Sequence, residues 1–129
     1  MSEPIVFVST HKIKEGKLDA LKESYQEGTR FMEANKPQTV AFLHYLNEDA
    51  TEISTVHVFP DAESMELHME GIGERAGRAA EFLDFECFEL YGNPSEAVLE
   101  MMARSAERSG VTLNLKPEHL SGYLRLESG

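Results

Sequence analysis

Residues 38–69 constrain the fold of this chain most, because they combine two alternating segments, a tight polar turn and a helix start. Apolar side chains alternate with polar ones over 39–47 and again over 52–59, and this period of two predicts two strands. The short polar stretch between them predicts an antiparallel hairpin. Pro60 ends the second strand, and Asp61 is suited to cap a helix. The segment therefore predicts strand–turn–strand–helix.

The length of the hairpin turn also predicts which residues face each other. It sets His44 opposite Thr55 and Phe42 opposite His57. Opposed residues share a sheet face, so both histidines point to the same side. The inner stripe of the following helix carries His68, which is placed above that face. Since histidine is the side chain that titrates near neutral pH, the three together indicate a candidate site.

The rest of the sequence extends this segment to the order β-α-β-β-α-β. A first strand is predicted at 5–13, a helix after Gly16, a second helix at 62–80 and a fourth strand at 85–91. Right-handed crossovers give an α+β, ferredoxin-like antiparallel sheet in the order 4-1-3-2, with both helices on one face. Three glycines predict a kink or break within the second helix: Gly71, Gly73 and Gly77.

The C-terminal part predicts an extension of this core. Asn93 is a candidate cap for a third helix that Gly110 ends, with Pro94 at its first position. Two short apolar pieces follow at 111–115 and 120–126, and the last of them is expected to form a strand that joins a sheet edge or covers a pocket mouth. A C-terminal helix and a short strand extension are therefore predicted.

The chain is expected to form a single domain over residues 1–129. Its core covers about 4–94 and its extension about 95–129. With both helices on one side of the sheet, the other face is bare and aliphatic, so a second copy is the economical cover and we predict a homodimer. The residues of that face are Val6, Val8, Leu43, Val56 and Val58.

Composition excludes several classes of partner. The net charge is −11, with 12 basic and 23 acidic residues, so no nucleic-acid partner is expected. No run reaches the roughly 20 apolar residues of a membrane helix, so no membrane partner is expected either. Cys87 is the only cysteine and no secretory signal is visible, which favours a cytoplasmic location.

Several segments of the chain resemble the antibiotic-biosynthesis-monooxygenase (ABM) domain group of the dimeric α/β-barrel superfamily. They are residues 13–17, 33–37, the hairpin, 59–65 and 90–94. The resemblance implies a dimeric α/β barrel with a pocket between the sheet and the helices of each subunit. It implies less about activity, because the group includes cofactor-free quinone-forming oxygenases, haem-degrading enzymes, small-ligand isomerases and proteins without an assigned reaction.

Matching through Gly16 and Asp61 carries three positions over from the haem-degrading members. Ser9 stands where they use asparagine, and His68 stands where they use a pocket tryptophan, a residue this chain lacks altogether. Their haem-ligating histidine falls near Gly77 or Arg78. These departures argue against haem degradation, and no cofactor is expected.

Three interpretations of the histidine face remain open: hydrogen-bonded core histidines, an organic-ligand pocket, or a metal site. The resemblance places Ser9 toward the helices, and a rough alignment then puts His11, Thr55 and His44 in one row, with His57 in the next. For a ligand pocket we predict His57 or His68 as the catalytic base. The predicted ligand-binding residues are Phe7, Ser9, His11, Phe42, His44, Thr55, Phe59 and Met65. Tyr25 is a further polar candidate.

Two functions follow from this pocket. The first is a cofactor-independent, monooxygenase-like protein that binds a small aromatic or polyketide-like molecule. The second is a non-catalytic dimeric module that binds an unidentified small molecule.

Overall fold

The computed structural model describes residues 3–126. The elements along these residues are β1 (Ile5–Ile13), α1 (Leu18–Asn35), β2 (Ala41–Leu46), β3 (Glu52–Phe59), α2 (Ala62–Met69), α3 (Ile72–Ala79), β4 (Leu83–Tyr91), α4 (Glu96–Ser109) and β5 (Thr112–Lys116).

The strands form one sheet in the order β2-β3-β1-β4-β5. The first four are antiparallel and reproduce the predicted order 4-1-3-2, so the ferredoxin-like α+β fold is confirmed. The strand β5 adds to the free edge of β4 in parallel, which requires a crossover, and α4 supplies it. The extension thus completes the sheet.

The hairpin has the predicted register. His44 pairs with Thr55 and Phe42 pairs with His57. The turn is held by the side-chain oxygen of Asn47, which accepts hydrogen bonds of 2.9 Å from the amides of Thr51 and Glu52. A side chain that satisfies two turn amides fixes the loop length, and the loop length fixes the pairing.

The predicted alignment of β1 with β3 was wrong by two residues. Ser9 pairs with Thr55, so the row that includes His44 begins at Ser9 and not at His11. No short turn joins β1 to β3, and their register therefore depends on packing. A shift of two residues leaves every side chain on its predicted face, which is why the face was predicted correctly and the row was not.

The predicted break in the second helix is confirmed. The helix α2 ends at Met69 and α3 begins at Ile72. Between them Gly71 has φ of +81°, a left-handed conformation that glycine adopts at little cost. The break gives α3 its own direction.

The cap of α4 differs from the predicted one. The Oγ of Ser95 accepts a hydrogen bond from the Val98 amide at 3.3 Å, so Ser95 is the N-cap. Asn93, which we predicted for this role, donates instead to the Pro117 carbonyl at 2.9 Å. Both residue types cap helices well, and here Asn93 is engaged by the chain that follows β5.

The predicted strand within 120–126 was also wrong. The structure has no strand there; Leu120 is 93% and Tyr123 76% exposed. The edge of β4 is already occupied by β5, which pairs from Cys87↔Thr112 onward.

Among the described residues, the core has two clusters on the helical side of the sheet. One is built mainly around α2 and α4: Ile5, Phe7, Phe59, Met65, Met69, Leu90, Val98 and Met102. The other lies under α1 and α3: Leu21, Ile53 and Leu83. On the opposite face Leu43 is 45% exposed and the four predicted valines are half-buried. No helix within residues 3–126 is long and apolar enough to cross a bilayer.

Candidate functional site

A cavity of about 530 Å³ lies between the sheet and the helices, bordered by both core clusters. This is a typical volume for a small-molecule site. Its floor is formed by strand residues, among them Phe7, Ser9, His11, Phe42, His44, Thr55, His57, Phe85 and Phe88. Its walls come from helices, among them Tyr25 and Gly28 of α1, His68 of α2, Arg75 and Arg78 of α3, and Met101, Ser105 and Arg108 of α4.

The structure brings eight of the ten predicted site residues to this cavity. They are Phe7, Ser9, His11, Phe42, His44, Thr55, His57 and His68. The other two, Phe59 and Met65, are fully buried in the first core cluster and do not line the cavity.

His57 is held in one tautomer by the backbone. Its Nδ1 lies 2.9 Å from the carbonyl oxygen of Phe7, and a carbonyl only accepts, so Nδ1 carries the proton in the neutral ring. The ring also stacks on Phe7 at a centroid distance of 4.8 Å. In residues 3–126 no hydrogen bond reaches Nε2 of His57. Every fully buried side-chain nitrogen in these residues has a hydrogen-bond partner, so Nε2 of His57 is not fully buried. Nε2 is therefore an unprotonated acceptor open to the cavity.

His11 is held in the opposite tautomer. The pairing of β1 with β4 shifts after Thr10, which leaves Glu86 as an extra, bulged residue. The Glu86 amide donates to Nδ1 of His11 at 2.9 Å, so Nδ1 is the acceptor and Nε2 carries the proton. The bulge also brings both Phe85 and Phe88 to the helical side, where each packs edge-on against His11. His11 therefore stabilises the bulge at Glu86 and has an Nε2–H group that can donate a hydrogen bond.

The other two cavity histidines bond to hydroxyl groups. Nδ1 of His44 lies 2.7 Å from Oγ1 of Thr55, and Nδ1 of His68 lies 2.8 Å from Oγ1 of Thr39. A hydroxyl both donates and accepts, so either tautomer is compatible with these bonds. His68 and His57 are close neighbours, with ring centroids 5.1 Å apart.

Burial keeps all four histidines neutral at neutral pH. Desolvation lowers the pKa of His11, His44 and His57 to about 4. The pKa of His68 falls to about 3, first through desolvation and then through the nearby charges of His57, Arg75 and Lys36. Neutral imidazoles can accept or donate a hydrogen bond without first losing a proton.

Tyr25 lies on the wall above His44, edge-on, with ring centroids 4.7 Å apart. Burial raises the pKa of its phenol to about 12, so the hydroxyl stays protonated and is available as a donor.

The sequence did not predict the cationic part of the wall. Arg75 lines the cavity, and its guanidinium donates to the carbonyls of His68 at 2.6 Å and Glu70 at 2.8 Å. Arg78 and Arg108 line the same cavity from α3 and α4. The helical spacing of Met101, Ser105 and Arg108 could have indicated that one side of α4 faces the cavity. We predicted this helix only as part of an extension of the core.

The histidine cluster does not have the arrangement of a metal site. Within the part of the chain that the structure describes, no group of three or more His, Cys, Asp or Glu side chains is placed to hold a metal ion. Each of the four Nδ1 atoms is already engaged in a hydrogen bond.

Comparison with known proteins supports the fold. No protein-family model matches the chain, and no curated protein sequence matches it significantly. MupZ from Pseudomonas fluorescens matches with a TM-score of 0.66 at 16% identity, over 95% of this chain and 91% of that one. SnoaB, a cofactor-independent oxygenase from Streptomyces nogalater, matches with a TM-score of 0.58 at 15% identity, over 73% of this chain and 96% of that one.

A Bacteriodes thetaiotaomicron protein named for the antibiotic biosynthesis monooxygenases matches with a TM-score of 0.58 at 10% identity, over 73% of this chain and 90% of that one. The match to MupZ covers so much of the chain that it includes α4, which supplies part of the cavity wall. At these identities the comparisons establish the fold. The chain has an ABM-like fold.

Proposed function

We propose that this protein is a cofactor-independent, monooxygenase-like enzyme that binds a small aromatic or polyketide-like molecule in the cavity. One observation carries the proposal: His57 presents an unprotonated Nε2 to a mostly apolar cavity between the sheet and the helices. The fold, shared with a protein described as a cofactor-independent oxygenase, supports the same reaction class.

The proposed reaction starts from a phenol or its enolic equivalent. His57 takes the acidic proton, and the resulting anion passes one electron to O2. The substrate radical and superoxide combine to form a carbon–oxygen bond, and the peroxide then loses water as a second carbon-bound hydrogen leaves. In total a ring CH₂ and O2 become a ketone and water, so one oxygen atom enters the product. His57 returns its proton when water leaves.

The low pKa of His57 limits which substrates are suitable. A phenol with a pKa of about 10 lies some six units above His57, which corresponds to about 8 kcal/mol for the proton transfer. Attraction between the two new charges in a mostly apolar cavity offsets part of this energy. Substrates that are more acidic than a simple phenol need less compensation and should react faster.

The other predicted residues receive supporting roles in this proposal. His68 is the second candidate base, because it lies beside His57. Ser9, Thr55, His11 and His44 orient polar atoms of the ligand, while Phe7 and Phe42 form apolar walls. Phe59 and Met65 support these walls from the core.

We further infer that two copies associate through the bare face of the sheet and that the protein acts in the cytoplasm. The half-buried valines and exposed Leu43 and Tyr45 on that face support a homodimer.

A non-catalytic, ligand-binding module is the second candidate. The observation that favours it is that Nδ1 of each cavity histidine is engaged in a bond within the protein. Together with their low pKa values, this is also expected of histidines that only shape and line a pocket.

Oxygen uptake tests the two candidates against each other. A panel of anthrones, naphthols and hydroquinones is first screened for thermal stabilisation, and each compound that binds is then assayed in an oxygen electrode. Catalysis predicts uptake that His57→Phe lowers by a factor of about 100 or more. His119→Phe, outside the cavity, is the matched control and should retain full activity. Stabilisation without uptake by the native protein would refute the oxygenase and support the binding module.

A further inference from the structure

The cavity carries an unusual distribution of charge for this chain. The sequence has 23 acidic and 12 basic residues. Yet three arginines and no aspartate or glutamate are found among the described residues that line the cavity. Because acidic side chains outnumber basic ones nearly two to one in the whole chain, the charges that line the cavity do not simply reflect composition.

Arg75 is the most constrained of the three arginines. It is half-buried, and its guanidinium is fixed by two backbone carbonyls at the end of α2. Carbonyls orient the group but leave its positive charge uncompensated. Among residues 3–126 no carboxylate forms an ion pair with Arg75, whereas Arg78 pairs with Glu74 at 3.0 Å. A partly desolvated charge without a counter-ion is energetically unfavourable, and binding of an anion beside it would stabilise it.

The direction of the Arg75 pKa shift agrees with a partly desolvated charge that has no counter-ion. Desolvation lowers its pKa first, and the positive charge of Arg78 lowers it further. Its own charge in turn lowers the pKa of His57 and His68. Arg75 bonds to the carbonyl of His68, whose ring centroid lies 5.1 Å from that of His57, so its charge can act on a ligand held beside this pair.

The two remaining arginines line the cavity from the last turns of α3 and α4. Arg78 and Arg108 are exposed, and each is also favoured there by the helix dipole. Arg78 is partly neutralised by Glu74, and no ion pair of Arg108 is present in the described part of the chain. They add positive potential at the solvent side of the same space, which attracts anions during entry.

We propose that the ligand of this cavity is an anion: an aromatic or polyketide-like body that carries a carboxylate, with Arg75 as the counter-charge. Arg78 and Arg108 attract and align it. The inference deepens the proposed function, since it names the chemical class of the ligand for that same cavity, but it concerns binding and does not require turnover. An apolar body lies against the phenylalanines, and the carboxylate pairs with the guanidinium of Arg75 through N–H groups that the carbonyls of His68 and Glu70 do not use.

Binding of matched acid and amide probes tests the proposal. Naphthalene carboxylate and anthracene carboxylate are each compared with the neutral carboxamide of the same ring system by calorimetry at low salt. The native protein is expected to bind at least one carboxylate about tenfold more tightly than its carboxamide. Arg75→Gln should remove this preference, because it weakens carboxylate binding much more than carboxamide binding. Arg30→Gln, an exposed position on α1 away from the cavity, changes the net charge equally and should retain the preference.

Arg75→Gln can also disturb the end of α2, so circular dichroism and thermal melting accompany each titration. If that variant does not fold, the double variant Arg78→Gln/Arg108→Gln, at exposed positions, should still weaken carboxylate binding more than carboxamide binding. Equal or tighter binding of every carboxamide, or no binding of any carboxylate, would overturn the proposal. Carboxylate binding through Arg75 without oxygen uptake would leave it standing and refute only the oxygenase.

Discussion

The floor and the wall of the cavity are built on different principles. The histidine floor (His11, His44 and His57) lies on the sheet, and every Nδ1 in it bonds to the protein. The arginine wall (Arg75, Arg78 and Arg108) lies on α3 and α4 at half-buried or exposed positions. The floor carries no charge at neutral pH, whereas the wall carries three positive charges.

This difference separates two tasks. Strand pairing fixes where the floor histidines lie, and backbone bonds fix which ring nitrogen holds the proton in His11 and His57. We propose that the floor determines what chemistry a bound molecule meets. We propose that the wall determines which molecules bind, through the positive charges of its arginines. Substitutions and conditions that affect one part and not the other can test this division.

Lowering the pH should give the largest effect, and it should act on the floor. The folded-state pKa values of the floor histidines are depressed to about 4, below the unfolded value of about 6.5. The unfolded chain thus binds more protons between these values, and stability present above about pH 6.5 is lost as the pH falls toward 4. Each histidine contributes up to about 1.4 kcal/mol per pH unit.

Urea denaturation at several pH values measures this loss. His44→Phe should show a shallower slope than the native protein, since it removes one of the protons taken up on unfolding. A free energy of unfolding that stays constant across the window would contradict the neutral floor.

A pair of single substitutions should give the next largest effect. His11→Phe keeps an aromatic ring between Phe85 and Phe88 but leaves the bulged Glu86 amide without its acceptor, which should cost about 1–3 kcal/mol of stability. Arg108→Gln, on the wall, should change stability by less than about 0.5 kcal/mol. Chemical denaturation compares them directly, and equal losses would remove the distinction between floor and wall.

The glycines at the start of α3 should give the smallest effect. At Gly73 an added methyl group meets no atom within 4 Å, so Gly73→Ala should stabilise the protein by up to about 1 kcal/mol. At Gly71 the left-handed backbone resists a side chain, and the methyl group would lie 3.3 Å from Nη1 of Arg75. Gly71→Ala should destabilise by about 1–2 kcal/mol. Thermal melting of both variants checks the expected opposite signs.

The sequence predicts the floor better than the wall for a physical reason. The pairing of His44 with Thr55 follows from a short turn, and local turns are readable from residue types. The offset of β1 against β3 and the bulge at Glu86 depend on packing between distant segments. Neither leaves a local pattern.

The wall was missed because its position depends on the direction of two helices. Glycines predicted the break before α3, but not that Arg75 would turn inward and bond to the end of α2. Likewise α4 shows a clear helical pattern, and only the tertiary structure shows that one side of it faces the cavity. Asn93 was predicted as the cap of α4, but it forms a long-range hydrogen bond to Pro117, and Ser95 caps the helix instead.

The most direct test of the central claim is the tautomeric state of two floor histidines, His11 and His57. Nitrogen NMR of the uniformly labelled protein distinguishes a protonated from an unprotonated ring nitrogen, and His11→Phe and His57→Phe assign the signals. At neutral pH we predict that His57 carries its proton on Nδ1 and His11 on Nε2, both rings being neutral. A doubly protonated His57, or a His57 protonated only on Nε2, would contradict the account, because the cavity would then lack its acceptor.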